Sequence, residues 1–433
     1  MKLFNPFKKK SISERDQERI WHPLTQHKTS GHLLAIKKAK GAILTDENGK
    51  EYIDGIASWY TSMYGHCHPA IIQKVHQQMK TLDQIVFSGF THEPAVILAE
   101  KLLDILPKNQ NKLFFNDNGS TATEVGIKMA IQFHHNRGEK RKVMLAFEEG
   151  FHGDTFGAMS VSGLSVYNGA FEDHFIEVVR LPKPMGLNND EVLYHLKDLI
   201  ANYAIAGFIY EPVVQGAAAM KTYSLDGLEK ILQECKQHKI ICIADEVMTG
   251  FGKTGKNFAS EYLQTQPDII CLSKALSAGM VPMGITSCSA SIYDAFYADE
   301  IEKGLFHGHT YTGNPLACAA AIAGLELLAS SEIQTNIQNI VLAHQQFANE
   351  MRNHPKVSEV RQVGVILALD LAVEMTRYGN LRDQMFNFFM ENGVFLRPLG
   401  NTIYILPPYV IKKEELQKIY SVIKSCIEEI ISS

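Results

Sequence analysis

Short apolar runs alternate with amphipathic segments through the middle of the chain, between about residues 110 and 290. The runs occupy residues 112–115, 143–147, 206–210, 240–244 and 268–272. Residues 225–239, between two of these runs, repeat apolar side chains at helical spacing. Continuous apolar strands separated by helices are typical of a mainly parallel sheet covered on both faces, so the pattern predicts an α/β fold.

Both ends of the chain have a different pattern. Residues 331–353 read as one long helix, and strand-like runs follow at residues 365–370, 393–397 and 402–406, before a final helix from about residue 412. A hairpin is predicted at residues 45–50. We therefore expect residues 61–325 to form a large domain. Residues 1–60 and 326–433 should form a small α+β domain built from both termini.

Composition narrows the class of protein. The 433 residues are 45% hydrophobic and 21% charged, as in an ordinary globular enzyme, and a net charge of −5 gives no reason to expect nucleic acid or a membrane surface as a partner. The longest apolar runs are too short to span a bilayer. The basic residues 1–10 lack the apolar segment of a secretory signal, so we expect a frayed tail there.

The cysteines and histidines indicate neither disulfides nor a metal. Seven cysteines are scattered without a Cys-x-x-Cys pair, which favours free, buried thiols in a reducing cytoplasm. The sequences His66-Cys67-His68 and His307-Gly-His309 resemble metal ligands. Neither has a further ligand at zinc-site spacing, so no metal is expected.

Two residues at predicted strand ends indicate a specific chemistry. Lys274 follows the run at residues 268–272, and Asp245 follows the run at residues 240–244. A lysine can form a Schiff base with an aldehyde, and an acid can hold a ring nitrogen protonated. Pyridoxal phosphate requires both groups, so this pair makes it a candidate cofactor.

Two loops after predicted strands extend the candidate site. Gly119 and Ser120 precede the helical run 121–134, where Thr121 and Glu124 have the spacing of a capping box. A glycine and a serine at a helix start offer N–H groups and a hydroxyl to phosphate. Phe151 follows the run at residues 143–147, where an aromatic ring can stack on a flat cofactor.

The glycine-rich residues 250–257 nearly match two nucleotide-binding motifs. Asn257 stands where a phosphate-binding loop needs a Ser or Thr hydroxyl for magnesium. A dinucleotide turn would begin at the strand end, whereas here five residues separate Ala244 from Gly250. A non-catalytic nucleotide-binding protein is therefore a remote alternative, and we expect a structural loop near the cofactor.

These pieces occur in one order, together with Glu211-Pro-Val-Val-Gln215 and the segment 306–315. In that order the chain resembles the class III aminotransferases of fold type I over almost its whole length. The blocks Trp21-His-Pro, 54–59, 65–69, 151–160 and Arg397-Pro-Leu-Gly look like the subgroup that acts in biotin biosynthesis. The resemblance implies a cytoplasmic enzyme whose substrates are an amino donor and 8-amino-7-oxononanoate.

Carried over position by position, the resemblance implies a cofactor site and a substrate cavity in a homodimer with active sites at the interface. Lys274 would bind pyridoxal phosphate covalently and move a proton, while Asp245 would pair with the ring nitrogen. The other implied cofactor contacts are Gly119, Ser120, Phe151, Val247 and, from the neighbouring subunit, Thr310. The implied substrate contacts are Trp59, Gly308, Arg397 and Tyr404. Arg397 would bind the far carboxylate of the oxo-acid through two hydrogen bonds.

Two departures from the subgroup concern the amino donor. Members that use adenosylmethionine typically carry tyrosine where this chain has Leu24 and Phe151. Losing two hydroxyls removes polar contacts that contribute roughly 0.5–1.5 kcal/mol each. A lysine-using form of the same enzyme is therefore an alternative. An ω-amino-acid or diamine aminotransferase is another, and an aminomutase or decarboxylase on the same fold is a third.

Overall fold

The computed structural model describes residues 10–31, 33–163, 168–373 and 380–430. Most of the predicted N-terminal tail, residues 1–9, lies outside the described residues. Within them, the strands in chain order are β1 Ile36–Lys40, β2 Ile43–Asp46, β3 Glu51–Asp54, β4 Gln110–Asn116, β5 Val143–Phe147, β6 Val178–Leu181, β7 Ile205–Tyr210, β8 Val214–Gln215, β9 Lys221–Thr222, β10 Ile241–Asp245, β11 Ile269–Leu272, β12 Gly284–Ser289, β13 Val357–Val363, β14 Ile366–Leu371, β15 Val394–Phe395 and β16 Thr402–Ile405.

The helices of the described residues are α1 Ile12–Gln17, α2 Ala57–Tyr60, α3 Pro69–Met79, α4 Glu93–Ile105, α5 Gly119–Asn136, α6 Phe156–Val161, α7 Asn189–Asn202, α8 Leu225–Gln237, α9 Ala290–Asp294, α10 Pro315–Leu328, α11 Ser331–Met351, α12 Asn380–Glu391 and α13 Lys413–Ile430. Short 3₁₀ helices span Gly169–His174, Ala259–Tyr262, Lys274–Ser277 and Ile301–Lys303. The element α2 is a single left-handed turn, because its residues have positive φ.

A seven-stranded sheet forms the centre of the molecule, in the order β4-β12-β11-β10-β7-β5-β6. Its strands are parallel except β12, which runs antiparallel to both β11 and β4. Every residue of β5, β7, β10 and β11 is buried, which explains why each reads as a continuous apolar run. The predicted α/β class with a mainly parallel sheet is confirmed.

The two ends of the chain share a second sheet. The predicted hairpin is formed by β2 and β3, and β3 then pairs in parallel with β15 from the C-terminal part. Strands β13, β14 and β16 form a third, antiparallel sheet. This pairing supports a small unit drawn from both termini, while the division at residues 60 and 325 stays a prediction. The predicted strand 393–397 is shorter than expected, because β15 ends at Phe395 and leaves Arg397 in the following loop.

A buried ion pair joins the third sheet to the β8–β9 hairpin. Arg361 donates to both carboxylate oxygens of Asp370, at 2.8 and 2.6 Å, and to the carbonyl of Met220 at 3.1 Å. Lys221 in β9 donates to the same carboxylate at 2.7 Å. Burial acts to raise the pKa of Asp370, but the hydrogen bonds from Arg361 and Lys221 outweigh it and hold the pKa well below its usual range.

The cysteines and the helices bear on two predictions from the sequence, those of buried free thiols and of apolar runs too short to span a membrane. All seven cysteines are free, and six are buried as expected, but Cys67 is exposed. Among the described residues no single helix is long and apolar enough to cross a membrane. Helices α10 and α11 reach that length and composition only as a pair bent by 67°.

His344 allows a test of the packing between α11 and α13. Its imidazole is fully buried, accepts from the Tyr420 hydroxyl at 2.6 Å and donates to the Val365 carbonyl at 3.1 Å. Burial lowers the pKa of His344 to about 4, whereas histidine in an unfolded chain titrates near about 6.5. Between these values the unfolded chain binds a proton that the folded chain does not, so stability is lost as the pH falls through this window.

We expect His344→Gln to flatten this pH dependence. Acidification from pH ~6.5 to ~4 should cost the variant less stability than the wild type, by up to about 3 kcal/mol. Chemical unfolding followed by circular dichroism at several pH values measures the difference. The matched control is His238→Gln, because His238 is exposed on the surface. Equal slopes for wild type and His344→Gln would contradict the prediction.

Candidate active site

The lysine and the acid singled out in the sequence lie side by side at one edge of the central sheet. Strands β10 and β11 are parallel neighbours, and Asp245 at the end of β10 is aligned with Cys271. Lys274 follows β11 and begins the 3₁₀ helix Lys274–Ser277. Both residues therefore stand at the carboxyl edge of the strands, where ligands bind in open α/β sheets.

The amine of Lys274 lies in a buried environment. Burial lowers the pKa of Lys274, and the negative charges of Asp245 and Glu211 oppose the shift without cancelling it. Its Nζ lies 5.1 Å from the centre of the Tyr60 ring. A lowered pKa increases the fraction of neutral amine, which is the form that attacks an aldehyde and accepts a proton.

The Asp245 carboxylate is fixed by hydrogen bonds to both oxygens. His152 Nδ1 donates to Oδ2 at 2.7 Å, and the Val247 N–H donates to Oδ1 at 3.0 Å. His152 is itself held, because its backbone N–H donates to Ser162 Oγ at 2.9 Å. A buried carboxylate oriented in this way can hold a proton on a heterocyclic nitrogen.

A second buried acid lies beside this pair. Glu211 follows β7 and accepts from the Phe151 N–H at 3.1 Å and from the Gly216 N–H at 2.8 Å. Burial raises the pKa of Glu211, while the His152 charge acts in the opposite direction. Glu211 therefore fixes the backbone at Phe151, whose ring remains 42% exposed.

The helix start predicted to bind phosphate begins earlier than expected. Helix α5 starts at Gly119 with Asn118 as its N-cap, since Thr121 N–H donates to Asn118 Oδ1 at 3.0 Å. The predicted capping box between Thr121 and Glu124 is wrong. Thr121 is the third helical residue, and Glu124 instead accepts from Thr155 Oγ1 and from the Ala158 N–H, both at 2.9 Å.

The earlier start places Gly119 and Ser120 in the first turn, where backbone N–H groups have no partner within the helix. A Cβ at Gly119 would lie 2.9 Å from Val247 Cγ1 and 3.5 Å from Ser273 Cβ, so a larger residue there would force Val247 to shift. Ser120 Oγ accepts from the Asp154 N–H at 3.1 Å. The helix start, Val247 two residues after β10 and Ser273 directly before Lys274 therefore converge within a few ångströms.

Four residues, three of them predicted substrate contacts, lie together: Trp59, Tyr60, Arg397 and Tyr404. The Arg397 guanidinium lies 4.8 Å from the centre of the Trp59 ring. The Tyr60 and Tyr404 rings are 5.9 Å apart, and burial raises the pKa of Tyr404 to about 12. Among the described residues no carboxylate forms an ion pair with Arg397. Its charge is thus available to a ligand.

The backbone that carries Trp59 and Tyr60 is strained. Ala57, Ser58, Trp59 and Tyr60 have φ values of 47°, 49°, 70° and 72°. Each L-residue in this left-handed region costs roughly 1–2 kcal/mol. Strain of this kind persists only where surrounding contacts fix it, and it is common at ligand sites.

Two predicted residues lie apart from this group in the described chain. Gly308 and Thr310 occupy an exposed segment, and no hydrogen bond links them there to the other predicted site residues. The Thr310 carbonyl accepts from Gln84 Nε2 at 3.1 Å. Leu24 is also exposed, at 54%. The role of Thr310 in a neighbouring subunit stays a prediction.

Sequence reasoning gave no role to three residues that the structure brings into the site. His152 and Glu211 stood inside quoted motifs, and both follow strands at the carboxyl edge, which is the signal that could have identified them. Tyr60 adjoins Trp59 and contacts Lys274. Nothing in the sequence signals this contact, because it depends on the left-handed turn.

The glycine-rich loop has the structural role expected of it. Lys253 is fully buried and donates to the Gly250 carbonyl at 2.9 Å, and Val365 N–H donates to the Lys253 carbonyl at 2.9 Å. Lys256 Nζ lies 4.5 Å from the Tyr262 ring. The 3₁₀ helix that follows, Ala259–Tyr262, is too short to hold a phosphate at its start. This geometry gives no support to nucleotide binding.

No metal centre emerges from the histidine motifs. Among the described residues no three His, Cys, Asp or Glu side chains are grouped closely enough to hold a metal ion. His66 pairs with Asp54 instead. His307 and His309 face each other with their Nε2 atoms 2.9 Å apart.

The residues present fit pyridoxal phosphate. The aldehyde of this cofactor needs a lysine amine, and burial lowers the pKa of Lys274. The ring needs an oriented carboxylate at its nitrogen and an aromatic side chain on its face, and the phosphate needs a helix start with free N–H groups. Lys274, Asp245, Phe151 and Gly119 with Ser120 would hold these groups. The fold and the site together define a pyridoxal-phosphate enzyme with a mainly parallel central sheet.

Comparison with known proteins identifies the family. Residues 25–427 match the family described as aminotransferase class-III. The chain belongs to this family and is a pyridoxal-phosphate-dependent aminotransferase.

Two curated relatives carry the same name, adenosylmethionine-8-amino-7-oxononanoate aminotransferase. The protein from Synechococcus elongatus is 41% identical over 420 residues, covering 95% of this chain and 99% of the relative. The protein from Geobacter sulfurreducens is 36% identical over 434 residues, covering 94% and 95%.

Solved structures agree with this result. The crystal structure of adenosylmethionine-8-amino-7-oxononanoate aminotransferase from Methanocaldococcus jannaschii has a TM-score of 0.91 at 32% identity and covers 96% of this chain and 98% of that one. An omega transaminase from Pseudomonas jessenii in complex with PMP has a TM-score of 0.91 at 26% identity, covering 97% and 98%.

We expect Asp245→Asn to keep the fold and lower turnover by roughly 100-fold or more, because a neutral amide holds a positively charged ring nitrogen poorly. Steady-state rates and the absorption spectrum of the bound cofactor measure the two effects. The matched control is Asp268→Asn. The Asp268 carboxylate accepts from the Cys242 N–H at 2.8 Å at the opposite edge of the sheet. Near-normal turnover in Asp245→Asn would remove this role.

Proposed function

We propose that this enzyme transfers an amino group to 8-amino-7-oxononanoate and forms 7,8-diaminononanoate in biotin biosynthesis, with S-adenosylmethionine as the amino donor. The names of the relatives support the reaction. Within the chain, the observation that carries the proposal is the Arg397 guanidinium over the Trp59 ring at 4.8 Å, with no carboxylate of the described residues paired to it.

The substrate has a carboxylate at one end of an apolar chain and a ketone near the other. Arg397 can bind the carboxylate through two parallel hydrogen bonds, a geometry that guanidinium groups favour. Trp59, which is 43% exposed, provides apolar ring surface for the methylene chain, and the buried rings of Tyr60 and Tyr404 lie beside it. This arrangement directs the ketone toward Lys274, which contacts Tyr60.

When bound, pyridoxal phosphate supplies an aldehyde that condenses with amines and a ring that delocalises the electrons of an adjacent carbanion. Asp245, fixed by His152, would hold the proton on the ring nitrogen. Lys274 would hold the aldehyde of the cofactor. Its Nζ, whose pKa is lowered by burial, would move the proton from the donor Cα to the aldehyde carbon of the cofactor, and would move a proton in the reverse direction for the oxo-acid.

Leu24 and Phe151 concern the identity of the amino donor. Both lack the hydroxyl of the tyrosine that adenosylmethionine-using members typically carry, and both are exposed in the structure. Stacking on the cofactor needs only the ring of Phe151. The missing hydroxyls favour lysine as a second candidate donor.

Half-reaction spectra test the donor. Purified enzyme is mixed separately with S-adenosylmethionine, lysine, alanine and glutamate, and the absorption of the bound cofactor is followed. We expect a change with S-adenosylmethionine that is reversed by 8-amino-7-oxononanoate. Lys274→Ala, the control, should bind the cofactor without turnover. Phe151→Tyr should speed the reaction with S-adenosylmethionine by roughly 2- to 10-fold if the hydroxyl contributes a typical hydrogen bond.

A response to lysine alone would mean that Leu24 and Phe151 mark a change of donor. A response to alanine or glutamate alone would contradict the biotin-pathway assignment and favour an ω-amino-acid or diamine aminotransferase.

We also propose that the enzyme acts in the cytoplasm as a homodimer, with Thr310 of one subunit completing the phosphate site of the other. The exposure of Thr310 supports this, as does the exposure of the aromatic rings of Phe306 and Tyr311 beside it. Exposed aromatic residues around a segment that carries a predicted ligand contact are typical of a subunit interface.

Mixing two inactive variants tests the shared site. Thr310→Asp should repel the phosphate, and Lys274→Ala should block the chemistry. Refolded together, they form dimers in which one site carries both changes and the other carries neither. We expect roughly a quarter of wild-type activity from random association in a two-fold dimer. Thr310→Asp turnover near wild type, or a mixture no more active than its parts, would contradict the shared site.

A further inference from the structure

The left-handed turn Ala57–Tyr60 depends on one carboxylate. Asp54, the last residue of β3, is fully buried. Its Oδ1 accepts from the Ile56 N–H at 3.1 Å, and its Oδ2 accepts from the Ser58 N–H at 2.8 Å. The carboxylate therefore binds the backbone on both sides of Ala57 and holds the chain where the unfavourable φ values begin.

His66 provides the third hydrogen bond to this carboxylate. Its Nε2 donates to Asp54 Oδ2 at 2.8 Å. The backbone of His66 is anchored separately, because its N–H donates to the Gly41 carbonyl at 2.8 Å and its carbonyl accepts from the Gly41 N–H at 3.0 Å. The orientation of the imidazole is thus set outside the turn, and the imidazole in turn sets the orientation of the carboxylate.

The segments that carry Arg397 and Tyr404 both form backbone hydrogen bonds with Gly55, which lies between Asp54 and the left-handed turn. Gly55 N–H donates to the Phe395 carbonyl at 3.1 Å, and the Gly55 carbonyl accepts from the Leu406 N–H at 2.9 Å. A Cβ at Gly55 would lie 2.6 Å from Leu396 Cδ2, so the contact is close. A displacement of the turn therefore changes how Trp59 lies against Arg397.

We propose that Asp54 and His66 are positioning residues for recognition of the substrate carboxylate. They act through the left-handed turn, which places the Trp59 ring against Arg397 and the Tyr60 ring beside Lys274. Neither residue touches the reacting atoms. The inference deepens the proposed function and rests on it for the identity of the substrate.

Steady-state kinetics provide the first test. Asp54→Asn places an amide donor where two N–H groups need an acceptor, and His66→Leu removes the third hydrogen bond. We expect both to raise KM for 8-amino-7-oxononanoate by roughly tenfold or more and to change kcat by less than about threefold, because misplaced recognition groups weaken binding first. His66→Gln keeps an N–H donor at similar reach and should restore KM to within about threefold of wild type.

Fluorescence provides a second test that needs no substrate. The chain contains two tryptophans, Trp21 and Trp59. Trp21 is 88% exposed and Trp59 43%. Trp21→Phe therefore leaves Trp59 as the single probe in the full-length holoenzyme. In this background Asp54→Asn and His66→Leu should raise the acrylamide quenching constant of Trp59 by roughly twofold, whereas His66→Gln should not.

The matched controls lower stability at other sites. His344→Gln removes a buried histidine and Asp268→Asn a carboxylate that caps a backbone N–H, and both should leave KM and Trp59 quenching unchanged. Equal effects in the controls would mean that KM and Trp59 quenching respond to any loss of stability, and this would overturn the proposal. Unchanged KM and quenching in folded Asp54→Asn and His66→Leu would overturn it too.

If Asp54→Asn does not fold, the two His66 variants provide the test of the proposal. If the wild type does not use 8-amino-7-oxononanoate, the proposed function fails while quenching still tests the positioning.

Discussion

The hydrogen-bonded pairing of β10 with β11 is the constraint on which the site depends. The register aligns Asp245 with Cys271 and so brings the acid and Lys274 to the same edge of the sheet. All residues of both strands are buried. A slip of one residue would rotate every side chain of a strand to the opposite face, and buried packing on both faces prevents it. The relative position of Asp245 and Lys274 is therefore set by the core rather than by the loops.

Burial at that edge shifts the pKa values of two groups in opposite directions, down for the lysine and up for a glutamate. It favours the neutral amine of Lys274 and raises the pKa of Glu211. Asp245 is held by two hydrogen bonds, from His152 and from the Val247 N–H. Burial thus lowers the pKa of the lysine, while hydrogen bonds keep an oriented acid beside it. Strong preorganisation of this kind needs no movement of charge when a ligand enters.

The central sheet could be predicted from the sequence because its strands are buried on both faces and read as apolar runs. The start of α5 could not be placed, because Asn118 and Thr121 are both good capping residues and only the fold selects Asn118. Lys274 and Asp245 were identifiable from strand ends. The contact of Tyr60 with Lys274 was not, because it depends on positive φ at residues whose side chains disfavour it. The role proposed for Thr310 would depend on a second chain, which no single-chain pattern describes.

The pairing of β3 with β15 has a consequence for synthesis of the protein. Gly55 and Trp59 leave the ribosome roughly 340 residues before Phe395 and Arg397, and chains elongate at roughly 5–20 residues per second. The strained turn is therefore synthesised roughly 20–70 s before the strand that packs against it. Through that interval a nascent chain can assemble the sheet edge that holds Lys274 and Asp245, while Arg397 is still missing. The residue proposed to select the substrate is therefore made later in translation than the lysine.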